Sequence, residues 1–201
     1  MPAKPLDFKT DILPFLIATI GEFVALSFWL RYQNTGQFFV GQLLLWVGFL
    51  IERSAVILWL RYVNGANDPE SIAGSPPAQI VLAVVVMTVI EIIIWAVWLK
   101  VADGVGMLAG LLALAIMIHS LHSVEMAIVK KTPFGTFFAN RNTLFFSLME
   151  IIGGTLWLVF VRNGNDLVGS LILLVGLSVE HILQGASLKQ DNSSSLGFVR
   201  T

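Results

Sequence analysis

Residues 79–100 read QIVLAVVVMTVIEIIIWAVWLK, an apolar run whose only charged positions are Glu91 and the terminal Lys100. A bilayer core needs about 20 helical residues, so the run predicts a transmembrane helix. Inserting one carboxyl group costs about 2.5–3.5 kcal/mol, which the many Ile, Val and Leu side chains of such a helix offset. Glu91 is therefore compatible with insertion, and an ionisable group at this depth predicts a functional site.

The whole chain is also rich in apolar residues: of its 201 residues, 56% are hydrophobic and 12% are charged. Soluble domains carry about 25% charged residues. The net charge of −1 provides no basic field for nucleic acid. The chain has no cysteine, which excludes disulfides and thiolate metal sites. The predicted class is an all-α integral membrane protein, with the lipid bilayer as its surroundings.

Six apolar runs are long enough to span a bilayer. They cover approximately 11–31, 38–61, 79–100, 104–130, 142–162 and 168–188. Residues 1–10 are predicted to be a cytoplasmic segment and residues 189–201 a flexible tail. The first run contains Glu22 and no clear A-x-A cleavage site, so we predict a retained helix instead of a signal peptide. Asp103 and Asp166 are predicted to cap helices four and six.

Basic residues are distributed unevenly between the two ends of the predicted helices. Eight lie on the side of the N-terminus: Lys4, Lys9, Arg61, Lys130, Lys131, Arg141, Lys189 and Arg200. Three lie on the other side: Arg31, Lys100 and Arg162. The positive-inside rule then predicts a multi-pass protein of the cell (plasma) membrane with both termini in the cytoplasm.

The glutamates indicate an internal repeat. Six of the seven fall one per predicted helix, at Glu22, Glu52, Glu91, Glu125, Glu150 and Glu180. Helices 1, 3 and 5 align as TIGEFVALSFWL, TVIEIIIWAVWL and SLMEIIGGTLWL, and helices 2 and 6 as VGQLLLWVGFLIE and VGSLILLVGLSVE. Helix 4 ends similarly but lacks the second V-G. The pattern predicts one helical hairpin present three times, with a repeat of three helices plus three as the alternative.

Each odd-numbered helix places a hydroxyl group, a glutamate and a tryptophan on one face, because these residues are spaced by whole turns. The three stripes are Thr19–Glu22–Trp29, Thr88–Glu91–Trp98 and Ser147–Glu150–Trp157. We expect the carboxyl groups to point into the bundle and each hydroxyl to donate to the carboxylate one turn away. The tryptophans fit either an interfacial aromatic belt or an aromatic layer closing the outer end of a polar cavity.

All three histidines also lie inside predicted helices. His119, His122 and Glu125 follow at i, i+3 and i+6, and His181 adjoins the helix 6 glutamate. Imidazole and carboxylate groups are the ligands of non-haem iron, manganese and zinc. In di-iron bundles such groups project inward from four helices, although the usual Glu-x-x-His order is reversed here. The sequence therefore predicts a site for a divalent metal ion (Fe, Mn or Zn) or for protons.

Arg53 is the one basic residue other than histidine near the centre of a predicted helix, and we predict a structural ion-pair role for it. Six carboxylates beside one arginine would leave a large uncompensated charge in a medium of low dielectric constant. Protonation of several glutamates or binding of cations would balance it. Either solution makes this layer a site that binds cations or exchanges protons.

The sequence is compatible with three functions. The first is an ion channel or transporter whose Glu/His layer binds protons or a divalent metal. The second is a membrane-embedded metalloenzyme with a mono- or dinuclear site. The third is a non-catalytic subunit that holds haem or pigment, or packs in a larger membrane complex or homo-oligomer. The chain has no P-loop, HExxH, GxSxG or dinucleotide motif, which weighs against an enzyme.

Overall fold

The computed structural model describes residues 12–64, 69 and 71–195 of the chain. Within them, six helices are long and apolar enough to cross a membrane. They are α1 (Leu13–Asn34), α2 (Phe38–Asn64), α3 (Pro77–Gly104), α4 (Met107–Val129), α5 (Arg141–Arg162) and α6 (Asp166–Ser195), with a short 3-10 helix (Ile72–Gly74) between α2 and α3. The predicted all-helical class is confirmed, and the length and composition of the six helices are those of a multi-pass membrane protein.

The helix ends follow from local chemistry. Pro14 and Pro77 stand in the first turns of α1 and α3, where a missing backbone N–H removes no helical hydrogen bond. Asn140 caps α5, because its side chain accepts hydrogen bonds from the N–H groups of Asn142 and Thr143.

The cap predicted at Asp103 is wrong. Helix α3 continues through this residue, and its carboxylate pairs with Arg162 at the end of α5. The turn into α4 is made by Gly106 at a φ of 122°, a conformation that favours glycine. Asp166 is the first residue of α6, where its negative charge interacts favourably with the helix dipole.

Several helices begin or end at residues other than those predicted. Helix α3 extends beyond 79–100 at both ends, and α6 continues to Ser195, into the stretch predicted as a tail. The predicted segment 1–10 and the end of the tail, 196–201, lie outside the described residues.

The six helices form a closed ring in chain order. Each helix packs on the next, and α6 returns to α1. The most extensive contacts lie within the pairs α1–α2, α5–α6 and α3–α4. The end of the bundle at which α1 begins is called the amino-terminal face here, and the other end the opposite face. Such a ring encloses a central space, toward which every helix turns one side.

Glycines bring α1 against α2, and α5 against α6, in the same way. A Cβ atom on Gly48 of α2 would lie 2.6 Å from the carbonyl oxygen of Gly21 in α1. A Cβ atom on Gly176 of α6 would lie 3.0 Å from the carbonyl oxygen of Met149 in α5. Gly21 and Met149 each directly precede the glutamate of their helix. Both glycines therefore permit a close backbone approach next to the glutamates.

We expect Gly48→Leu to lower the free energy of unfolding by roughly 1–3 kcal/mol, the usual cost of overpacking. The new Cβ would also lie 2.2 Å from the Cβ of Ala25, so α1 and α2 would have to separate. Gly104→Leu is the control, because nothing lies within 4 Å of a Cβ at that position. Thermal melting of the purified variants measures the difference. Equal melting temperatures would contradict the close approach of the two helices.

Two clusters of buried apolar side chains flank the layer of glutamates, one toward each face of the bundle. The cluster toward the opposite face includes Trp29, Leu45, Phe49, Trp95, Trp98, Leu114 and Trp157. The cluster toward the amino-terminal face includes Phe15, Val56, Trp59, Met126, Phe146 and Leu188. The polar layer lies between them, where ionisable groups are shielded from lipid by the ring of helices.

Candidate cation site

All six predicted glutamates line one cavity at the centre of the ring, together with Arg53, His122, His181 and Gln184. Five of the six are at most 6% exposed. The exception is Glu125, whose side chain is 13% exposed. The cavity has a volume of about 10 Å³, about the space of one water molecule. The carboxyl groups therefore face one another across a small central space instead of facing lipid.

Arg53 binds three of the six carboxyl groups. Its Nη1 lies 2.5 Å from a carboxylate oxygen of Glu52. Its Nη2 lies 2.7 Å from oxygens of both Glu91 and Glu125. The guanidinium group donates a hydrogen bond to Glu52 of α2 and forms ion pairs with Glu91 of α3 and Glu125 of α4, although Oε2 of Glu91 has no well-aligned hydrogen-bond donor among the described residues. This geometry agrees with the structural ion-pair role predicted for Arg53.

His122 connects α4 to the carboxylates of α5 and α6. Its Nε2 lies 3.0 Å from Glu150 and 3.8 Å from Glu180. Its Nδ1 lies 2.9 Å from Oγ of Ser147, which donates its proton to the carbonyl oxygen of Thr143 at 2.6 Å. Assigned from these partners, Nδ1 carries a proton and donates to Ser147. Nε2 and Glu150 then share the next proton, as an imidazolium–carboxylate or an imidazole–carboxylic acid pair.

His181 of α6 faces the carboxylates of α1 and α2. Its Nδ1 lies 2.9 Å from the carbonyl oxygen of Leu177, so we assign the ring proton to Nδ1. Its Nε2 lies 3.7 Å from Glu22 and 3.9 Å from Glu52. Histidines that bind metals commonly donate their second N–H to a backbone carbonyl in this way. Nε2 is therefore oriented to accept a proton or to coordinate a metal ion.

The hydroxyl groups of the stripes do not donate to the carboxylates, so that prediction is wrong. Thr19 and Ser147 each donate to the carbonyl oxygen four residues earlier, at 2.8 and 2.6 Å. Thr88 has no hydrogen-bond partner among the described residues. A helical carbonyl within reach competes with any more distant acceptor. The oxygen of Thr19 instead accepts from His181 at 3.1 Å, and that of Ser147 from His122, so these two hydroxyl groups position imidazole rings.

The three predicted tryptophans are buried inside the bundle. Trp29 and Trp157 are 1% exposed and Trp98 is 0% exposed. An aromatic belt would face the membrane interface, so the burial favours the closing layer. Trp95, which was not predicted from the sequence, lies one turn beyond the α3 glutamate. Its ring packs edge-to-face on Trp98 at 5.2 Å and against Gly154 of α5. This aromatic layer fills the ring on the side of the opposite face.

His119 lies beside the cavity, at the edge of the bundle, and is only partly buried. Its Nε2 lies 2.8 Å from the carbonyl oxygen of Phe138, and its Nδ1 lies 3.3 Å from Oγ of Ser147. Ser147 therefore stands between His119 and His122. Because Nε2 donates to Phe138 and Ser147 gives its proton to Thr143, His119 can donate to Ser147 through Nδ1 only when both ring nitrogens carry protons. His119 does not face the carboxylates directly.

Two groups of side chains converge closely enough to hold a metal ion. One contains Glu22, Glu91 and Glu150, the other Glu22, Glu180 and His181, and within each group the ligand atoms lie within 4.8 Å of one another. Oε1 of Glu22 and Oε1 of Glu150 have no hydrogen-bond partner among the described residues. Burying an unpaired carboxylate is strongly unfavourable. These oxygens therefore require a proton or a cation.

Gln184 is a polar residue of the cavity that the sequence analysis misses. It is 7% exposed, and its Oε1 has no hydrogen-bond partner in the described part of the chain. It follows Glu180 by four residues, so the spacing of one helical turn was the signal that could have identified it.

No known protein family, characterised protein or solved structure matches this chain. The cavity is therefore the basis for a functional conclusion. Its carboxylate and imidazole groups are suited to bind a cation or to exchange protons, and both processes would change the net charge of the layer.

Proposed function

We propose that the protein is a membrane transporter that binds a divalent cation in the central layer and exchanges it for protons. The observation that carries this proposal is the position of Glu22. Its carboxyl group belongs to both convergent groups, and its Oε1 lacks a donor among the described residues. A cation bound there would satisfy the unpaired oxygens of Glu22 and Glu150 at once.

The charge of the layer supports an exchange between cations and protons. Six carboxylates face one arginine and two histidines across the cavity. Even with both imidazoles charged, three negative charges would remain uncompensated if all six glutamates were ionised. Protons or a divalent cation with a proton can supply the difference. Binding of a cation would therefore release protons from the layer.

A transporter fits the cavity better than an open channel does. The cavity holds about one water molecule, and the buried tryptophans separate it from the opposite face. Ions in a channel cross the membrane without closing the path behind them. A site covered on one side by packed tryptophan side chains instead favours access from one face at a time.

We also propose that the ring consists of three repeated hairpins with both termini in the cytoplasm of a cell-membrane protein. The equivalent contacts of Gly48 and Gly176 support the repeat. The excess of Lys and Arg on the side of the amino-terminal face supports the orientation. A repeat of three helices plus three would not relate these two glycines, since α2 and α6 run in the same direction.

Titration of the protein in nanodiscs with Zn²⁺, Mn²⁺ or Fe²⁺ tests the proposal. We expect binding with release of protons, measured by calorimetry in two buffers of different ionisation enthalpy. Glu22→Gln should weaken binding at least about tenfold, because changing a residue that only hydrogen-bonds to a metal ligand already costs 10–100-fold. Asp103→Asn, a variant of a side chain 57% exposed at the opposite face, should bind normally. Absence of cation binding, or cation flux into proteoliposomes that survives Glu22→Gln, would overturn the proposal.

A dinuclear metalloenzyme is the second candidate. The observation that favours it is the ligand composition around Glu22: four glutamates and two histidines, the set found in di-iron carboxylate bundles. Its members are Glu22, Glu91, Glu150, Glu180, His122 and His181. The same titration separates the candidates. Two tightly bound, redox-active ions per chain and no flux would favour the enzyme, whereas one exchangeable ion with flux would favour the transporter.

A further inference from the structure

A second cavity lies between α2, α3, α4 and α6, on the side of the amino-terminal face. Its volume is about 50 Å³. Most of its wall is apolar, with Val84 of α3 and Val129 of α4 among the lining residues, and Ile72 of the short 3-10 helix also lines it. At about 10–15 Å³ per water, the space has room for three to five water molecules, and the polar partners that they need are on its inner wall, at Glu52, Arg53, Glu125 and Gln184. It is too small for a benzene-sized ligand, which needs about 150 Å³.

The second cavity adjoins the central cavity through a shared polar wall. Four residues line both cavities: Glu52, Arg53, Glu125 and Gln184. The guanidinium group of Arg53, with the carboxylates it binds, therefore separates the two spaces. Gln184 contributes a buried oxygen without a hydrogen-bond partner among the described residues. An unpaired acceptor beside a carboxylate is suited to a cation or a water molecule.

Glu125 lies nearer to a helix end than any of the other five glutamates, and that end is at the amino-terminal face. Glu125 is four residues from the end of α4, about 6 Å along the helix axis. It is also the most exposed of the six glutamates, at 13%. Toward the opposite face, the central cavity is covered by Trp29, Trp95 and Trp98, none more than 1% exposed. The distance from the amino-terminal face to Glu125 is therefore short, whereas packed tryptophan side chains fill the space on the other side of the layer.

We propose that the second cavity, termed the access cavity, is the route by which a small hydrated cation reaches the central layer from the amino-terminal face. Glu125 and Gln184 are the first groups to replace its water ligands. Arg53 must move away from Glu125 before the cation passes to the inner group around Glu22. The identity of the cation rests on the proposed function, whereas the water route from this face can be tested independently.

The chain contains no cysteine, so a single introduced cysteine reports accessibility without background. Val84→Cys places a thiol in the access cavity. Val85→Cys is the matched control, because Val85 is the next residue of α3 and is 38% exposed on the outside of the bundle. A small, charged methanethiosulfonate reagent is added to either side of sealed vesicles. A carboxyl-terminal tag identifies the amino-terminal face, since an even number of spans places the tag there.

We expect Val84→Cys to react at least tenfold faster than Val85→Cys, and only with reagent on the amino-terminal face. Mn²⁺ should slow this reaction, and Glu125→Gln should remove the protection. Equal reaction of the two variants, or reaction of Val84→Cys from the opposite face, would overturn the route. Sided labelling without protection by Mn²⁺ would support the water route and contradict the proposed function, so the two failures are distinguishable.

Discussion

Replacing Arg53 with methionine should destabilise the folded protein by about 3–5 kcal/mol, the largest stability effect that the structure leads us to expect. Arg53 is only 6% exposed and contacts carboxylates on three helices. Methionine fills a similar volume but provides no N–H donor. Glu52, Glu91 and Glu125 would then face one another without a cation, in a space that holds about one water molecule.

The destabilisation should depend on the carboxylates and not on lost packing. We expect Arg53→Met combined with Glu52→Gln, Glu91→Gln and Glu125→Gln to recover most of the lost stability, because a neutral buried set lacks the uncompensated charge. Arg53→Lys should recover only part of it, since one ammonium group cannot reproduce the planar donors of the guanidinium.

Arg61→Met is the matched control, because Arg61 lies about two turns further along α2, near its end. Thermal melting of the purified variants in one detergent gives the comparison. A melting temperature of Arg53→Met equal to that of Arg61→Met would show that the three ion pairs contribute nothing net. If the combined variant does not recover stability, the loss in Arg53→Met results from the missing packing contacts of the arginine side chain.

Strong energetic terms made several features predictable from sequence. A charged group facing lipid costs several kcal/mol, so Glu91 and its counterparts had to face the bundle interior whatever the details of packing. The requirement for about 20 apolar residues likewise identified the six spans. Both inferences depend on properties of the bilayer, which are the same for every sequence.

Features decided by competition among nearby groups were not predictable. Asp103 resembles a helix cap in sequence, but its carboxylate pairs with Arg162, about 60 residues later in the chain. Ser147 was expected to donate a hydrogen bond to the glutamate one turn away, but it donates to the carbonyl oxygen four residues earlier. Trp95 carries no motif, and Gln184 carries only its spacing of one turn from Glu180; the roles of both depend on the central position that the closed ring gives them.

Replacing Ser147 with alanine should slow proton movement into the layer by roughly tenfold to a hundredfold, equivalent to the 1.5–3 kcal/mol of a hydrogen bond to a charged group. Ser147 Oγ stands between His119 Nδ1 at 3.3 Å and His122 Nδ1 at 2.9 Å, and His122 Nε2 lies 3.0 Å from Glu150. Inward transfer uses the form of His122 that carries its proton on Nε2: doubly protonated His119 gives its Nδ1 proton to Ser147, Ser147 turns its own proton from Thr143 to Nδ1 of His122, and His122 gives its Nε2 proton to Glu150. Without the hydroxyl group this relay cannot form. Proton-driven uptake of Mn²⁺ into proteoliposomes, followed with a pH-sensitive dye, measures the rate.

The equilibrium affinity for Mn²⁺ should stay within about twofold in Ser147→Ala, about 0.4 kcal/mol, because Ser147 belongs to neither convergent group of ligands and is separated from Glu150 by the ring of His122. Ser123→Ala is the control. Ser123 is also buried, but its hydroxyl donates to the backbone carbonyl oxygen of His119 and is not part of the proposed proton route. A normal rate of proton movement in Ser147→Ala would exclude His119, Ser147 and His122 as the proton route. An equal loss of rate in both variants would indicate a general effect on α4–α5 packing. A loss of rate confined to Ser147→Ala, with unchanged affinity and melting temperature, would place the proton path through His119, Ser147 and His122. This path would be separate from the access cavity.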